Sequence, residues 1–129
     1  MIVGCGVDLV EIPRMRRVLA RRGEGFLKRI FTTDELRYCR GKRMWASHLA
    51  ARFAAKEAVA KAFGDREGLA MRWRDVEVVR APSGQPQVTL SGQAKQMGRR
   101  RRVRRISLSL THTARYAVAM AVLEGAWRA

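Results

Sequence analysis

The stretch Arg52 to Gly64, RFAAKEAVAKAFG, leaves the fewest choices open to the fold. It is rich in alanine and has neither proline nor an internal glycine, so it reads as one uninterrupted helix. Gly64 supplies its C-terminal stop. The small side chains let other backbone pack close on several sides. Lys56, Glu57 and Lys61 stand within this apolar background. Glu57 and Lys61 are four apart and project from one face. Glu57 also shares its side of the helix with Ala50, Phe53 and Ala54, so its carboxylate is partly desolvated and needs a cation. Two readings follow from the helix alone. Either Glu57 and Lys61 form an ordinary pair worth roughly 0.2–0.5 kcal/mol, or Glu57 holds a metal and Lys61 a phosphate.

Around this helix the chain alternates in period. Ile2 to Val10 reads as a strand, with Val3, Cys5, Val7 and Leu9 on one face and Gly4, Gly6 and Asp8 on the other. The glycines let other backbone or a ligand come near. Asp8 either marks the strand's end or is functional. Gly4-Cys5-Gly6 is not a dinucleotide loop, because Leu9 stands where the third glycine belongs. Pro13 opens a helix with Met15, Val18 and Leu19 as its apolar stripe and Arg14, Arg17 and Arg21 as a second stripe. That second stripe carries one sign only and repels itself when unpartnered, so it is either a solvated face or a dock for something acidic. Gly23 and Gly25 break the helix. Thr32-Thr33-Asp34-Glu35 forms a capping box, Arg40 to Arg43 is a basic loop, and the long helix runs from about Met44–Ser47 to Phe63.

After a loop from Gly64 to Met71 the chain turns mainly to strand. Asp75 to Arg80 and Gln87 to Leu90 flank the turn Pro82-Ser83-Gly84-Gln85-Pro86 and make a hairpin. Ser91 caps a short helix, Gly92 to Gly98. Ile106 to Leu110 alternates, Thr111 to Arg115 turns the chain, and Tyr116 to Leu123 is apolar on both faces, as in a central, covered strand. Helices first and a sheet largely after them, with one early strand, is an α+β pattern. The 129 residues suffice for a single domain, 1–129, and no linker divides them.

The net charge of +16 asks for a polyanionic partner. Six arginines lie between Arg99 and Arg105, and removing them still leaves 16 − 6 = +10, so the basic character is general. Cys5 and Cys39 have no ligand-like spacing and read as reduced, half-buried thiols of a cytoplasmic protein. There is no signal-peptide pattern, and the longest uncharged apolar run, Tyr116 to Leu123, is far short of the ~20 residues of a membrane span. Asp8 and Glu57, distant in sequence and offering oxygen only, suit Mg²⁺ better than zinc. His112 lies in a turn, as a surface residue or a functional one. No serine elbow, P-loop or HExxH is present.

Six stretches occur in order that together resemble the holo-acyl-carrier-protein synthase family, the small type of 4′-phosphopantetheinyl transferase. They are GVDLVEI, FTTDE, RFAAKEAVAKAFG, WRDVEV, SGQPQV and SLTHTARYAVAMAVLE, and they span Ile2 to Glu124. The resemblance implies a long central helix packed on a mainly antiparallel sheet. It implies transfer of phosphopantetheine from coenzyme A to a serine of apo acyl carrier protein, with release of adenosine 3′,5′-bisphosphate. Asp8 and Glu57 match the family's metal ligands, with Mg²⁺ between them and the pyrophosphate. Lys61 matches a phosphate-contacting lysine, and Asp8, Glu57 and Lys61 together form the implied catalytic group. His112 matches a histidine near the nucleotide of coenzyme A, and Gly84 and Pro86 a turn against the adenine. Arg52 and the basic loop would serve phosphates, with the choice between Lys42 and Arg43 open. Arg14 matches an arginine that docks the acidic carrier, and Arg17 and Arg21 extend it. A homotrimer with sites between subunits is implied, so Gly84 and Pro86 can serve a neighbour's site. The base that deprotonates the serine is left open among Asp8, a metal-bound water and another acid. Arg99 to Arg105 is not a family feature. A nucleic-acid module is disfavoured, because no aromatic residues interleave with the basic run. A carrier binder without activity would need neither Asp8 nor Glu57.

Overall fold

Strand β1 (Ile2–Glu11) leads directly into helix α1 (Ile12–Ile30), followed by α2 (Thr33–Arg40) and the long helix α3 (Trp45–Ala62). A single 3₁₀ turn at Trp73–Asp75 opens the hairpin of β2 (Val76–Arg80) and β3 (Pro86–Leu90). Helix α4 (Gly92–Arg100) and the antiparallel pair β4 (Val103–His112) and β5 (Tyr116–Gly125) complete the order. A computed structural model describes residues 1–65 and 71–126, and most of the loop expected from Gly64 to Met71 lies outside the described residues.

The expected α+β architecture is present. β1, β5 and β4 form one antiparallel sheet in that order, and β2 with β3 forms a second. α3 is buried nearly all round, from Ala46 to Ala62, and so has no amphipathic stripe. One side of it packs on β1 and β5, where Ala54, Ala55, Ala58 and Ala62 meet Ala119, Ala121 and Leu123. Its N-terminal half packs under α1 and α2 against Met15, Leu19, Leu27, Ile30 and Phe31.

Two glycines set the closeness of strand and helix. A Cβ on Gly6 would lie 2.0 Å from the Ala58 carbonyl oxygen, and one on Gly4 would lie 2.1 Å from that of Ala62. No side chain fits there, and backbone meets backbone.

Several expectations need correction. α1 does bend at Gly23, where φ is 68° and ψ is −158°, but helix resumes at once and contains Gly25. Ser91 stands at the N-cap of α4 without donating or accepting a side-chain capping bond. The arginine run begins inside α4, and Arg101 donates to the Phe63 carbonyl oxygen at 2.7 Å, closing the end of α3. His112 ends β4 rather than lying in a turn. β5 is central, but only one of its faces is covered in this chain. On the other face Val7 and Leu9 of β1 are each 57% exposed and Met120 of β5 is 50% exposed. The thiols differ from one another: Cys5 on that open face is exposed, and Cys39 is buried.

Candidate active site

The close contact of β1 with α3 carries Asp8, two residues beyond Gly6 on the same strand face, to the side of the helix. There Lys61 Nζ donates to Asp8 Oδ1 at 2.8 Å and to the Val7 carbonyl oxygen at 3.2 Å. Lys61 therefore does not pair with Glu57, one turn earlier. Glu57 Oε1 instead accepts from Trp73 Nε1 at 2.7 Å, with the Trp73 ring beside Phe53 at 6.0 Å between centroids. The ordinary helical pair is replaced by two contacts that cross between elements.

Asp8 and Glu57 line one cavity of about 410 Å³, with Arg14, Met15, Val18, Phe26 and Phe53 around them. Glu57 also borders a second, larger cavity of about 810 Å³ with Lys28, Arg29, Arg72 and Arg74. Among the described residues no group of three or more His, Cys, Asp and Glu side chains gathers at one point. The donors on offer are carboxylate oxygens alone, a set for a hard cation. Arg14 stands at this cavity, while Arg17 and Arg21 continue along the exposed face of α1. Those three guanidiniums make no ion pair among the described residues.

A separate cavity of about 320 Å³ collects Arg52, Gly84, Pro86 and His112. Tyr38, His48 and Arg80 share its polar wall with Gln85, Ser109 and Thr111. Arg52 is 5% exposed, its guanidinium carbon 4.2 Å from the Tyr38 ring centre, and its Nε donates to nothing. A buried donor without an acceptor is costly. Arg80 donates to the Tyr38 hydroxyl and, through Nε, to the Gly84 carbonyl oxygen at 2.9 Å. Lys42 Nζ lies 4.9 Å from the same Tyr38 ring, so it is Lys42 of the basic loop that reaches this cluster. Arg52 and Arg80 line the cavity with two histidines and no carboxylate, and Lys42 stands close by, so its potential is positive and suits an anion.

The family model described as the 4′-phosphopantetheinyl transferase superfamily matches residues 4–121. The chain belongs to that superfamily. A holo-[acyl-carrier-protein] synthase of Koribacter versatilis is 45% identical over 124 residues, covering 96% of this chain and 99% of that protein. The crystal structure of the holo-[acyl-carrier-protein] synthase from Neisseria meningitidis superposes with a TM-score of 0.88 at 31% identity, over 96% of this chain and 99% of the other. The Helicobacter pylori synthase in complex with coenzyme A superposes at 0.82 with 30% identity, over 93% and 99%. The chain is thus an enzyme of the phosphopantetheinyl transferase kind, on the fold its motifs implied.

The residues expected from the sequence fall into two groups within one chain. Asp8, Glu57, Lys61 and Arg14 lie around the α3–β1 contact, and Arg52, Gly84, Pro86 and His112 lie in the cavity beside Tyr38. Sequence reasoning missed Trp73, which holds Glu57, and Tyr38, Arg80 and His48. Tyr38 and Arg80 gave no local signal, since they come from α2 and β2. His48 did give one: it stands four residues before Arg52, on the same face of α3.

Proposed function

We propose that this chain transfers the 4′-phosphopantetheine group of coenzyme A to a serine of an apo acyl carrier protein, with Mg²⁺, releasing adenosine 3′,5′-bisphosphate. The observation that carries the reading is the meeting of Asp8 and Glu57 at one cavity beside Arg14. The likeness to a synthase bound to coenzyme A supports the donor. In the reaction the serine Oγ bonds to the phosphorus that bears pantetheine. The pyrophosphate bridge to the nucleotide half breaks, that half leaves, and the serine proton passes to a base.

Asp8 and Glu57 would hold the Mg²⁺, an ion that keeps several waters and shares its shell with phosphate oxygens. When bound, such an ion would supply positive charge against the leaving phosphate. Lys61, fixed by Asp8, supplies a fixed ammonium to the same phosphates. Arg52 offers its guanidinium to a phosphate of the nucleotide half, with His112 beside it and Gly84 and Pro86 forming the wall for the base. Arg14, Arg17 and Arg21 dock the acidic carrier by charge complementarity.

The homotrimer belongs to the same proposal. Val7, Leu9, Tyr116 and Met120 form an exposed apolar face on the three-stranded sheet, of a kind that other protein covers. Assembly through that face would let the turn at Gly84 serve a neighbour's Asp8 and Glu57. The carrier assay tests the whole reading. Coenzyme A, Mg²⁺ and apo carrier protein are incubated with the enzyme, and the intact mass of the carrier is measured. A gain of one phosphopantetheine is expected, and no gain on any of several carriers would remove the reading.

A further inference from the structure

The cavity beside Tyr38 holds a histidine to which the proposed transfer assigns no role. His48 lies between two rings: its centroid is 6.0 Å from that of Tyr38 and 6.0 Å from that of His112. Among the described residues lining the cavity none is a carboxylate. Arg52 faces it from its own helix, Lys42 from the turn after α2, Arg80 from β2 and His112 from β4. Partial burial, and after it these neighbours, hold the His48 ring below the usual histidine range in the free protein. The same wall contains the buried, unpaired Nε of Arg52.

We propose that His48 makes this cavity a proton-coupled anion site: a phosphate dianion seated beside Arg52 and Arg80 draws a proton from solvent onto the His48 imidazole. This rests on the coenzyme A reading above. The dianion offsets the repulsion that adds to burial in disfavouring the charged ring, and the imidazolium then becomes one more donor to the phosphate. Linkage fixes the sign. The bound-state pKa of His48 stands above its free-state value, so binding takes up protons between the two. The His48 contribution to affinity is therefore largest at low pH and is lost as pH rises through the bound-state value, by up to ~10-fold per pH unit for one full proton.

Coenzyme A binding is measured by calorimetry at pH 7 in two buffers of different ionisation enthalpy, which gives the number of protons taken up. The free ligand's phosphate titrates near pH 6, and its starting protonation is the same for every protein compared. Wild type is expected to take up more protons than His48→Gln, while His112→Gln retains most of the uptake. Equal uptake in wild type and His48→Gln overturns the proposal, as does loss of uptake in His112→Gln alone. The chain has two histidines, so their ring proton resonances can also be followed in the unaltered protein. The His48 titration midpoint is expected to rise by about one pH unit or more when coenzyme A is added. A midpoint that stays or falls overturns the proposal without any variant. Binding of coenzyme A with no difference in protons refutes this inference alone. Failure of coenzyme A to bind wild type, with no carrier mass gain, takes the functional reading down with it.

Discussion

Lys56 Nζ donates to Glu35 Oε1 at 2.8 Å with both side chains fully screened from solvent. The ammonium also donates to the carbonyl oxygens of Trp73 at 3.0 Å and Val76 at 2.7 Å. The carboxylate accepts from the backbone N–H of Thr32 at 2.8 Å and of Val78 at 2.9 Å. The pair therefore ties α2, α3 and β2 together and fixes Trp73, which in turn holds Glu57. Burial pushes the Lys56 ammonium below the usual lysine range, while Glu35 pulls the other way.

Breaking that pair on one side leaves an uncompensated buried charge. Lys56→Met is expected to lower stability by ~3–5 kcal/mol in urea unfolding. Combined with Glu35→Leu it should cost less than the sum of the two single changes. Single losses below about 1 kcal/mol would show that the pair is not the tie described.

The approach of β1 to α3 is tested by Gly6→Ala. The new methyl meets a backbone oxygen that no rotamer change can move aside. A loss of at least ~1–3 kcal/mol is expected, together with reduced transfer, because Asp8 and Lys61 are positioned by that contact. An unfolding midpoint equal to wild type would contradict the packing.

Glu57→Gln keeps the shape of the side chain and an acceptor for Trp73 Nε1 but removes the charge. Transfer to the carrier is expected to fall roughly a hundredfold or more, with the thermal midpoint nearly unchanged. Activity close to wild type would refute Glu57 as a metal ligand.

Arg14→Glu places a like charge before an acidic partner. KM for the carrier is expected to rise about tenfold or more, and KM for coenzyme A to change far less. Equal rises in both would remove Arg14 from the docking surface.

Burial pushes the Cys39 thiol up to about 11 from its ordinary 9.0, against the opposing pull of Arg52. The unfolded chain ionises this thiol first, so the folded state binds more protons between those values. Its contribution is fully present below pH 9 and is lost as pH rises toward 11. Unfolding midpoints should fall across that interval in wild type and fall less in Cys39→Ala. In the native protein alkylation at pH 8 should reach Cys5 and spare Cys39, as peptide mass mapping would show.

What the sequence determined by itself was local or repeated in short period. The Thr32–Glu35 capping box forms as read, because its partners are three residues apart and need only the start of one helix. The alanine-rich helix, the alternating strands and the glycine face of β1 follow from periods of 3.6 and 2. The family's ordered motifs named the residues of both groups. Tertiary structure decided how polar groups from different elements were shared. Lys61 left its helical neighbour for Asp8 because the tight contact at Gly6 brings β1 within its reach, and Trp73 took Glu57. Glu35, legible as a cap, also became the partner of a lysine 21 residues away, since a buried ammonium must find an acceptor wherever the packing provides one. The pattern of β5 showed two apolar faces but could not say that one of them would lack a cover within its own chain, because hydrophobicity along a strand records burial without recording by what.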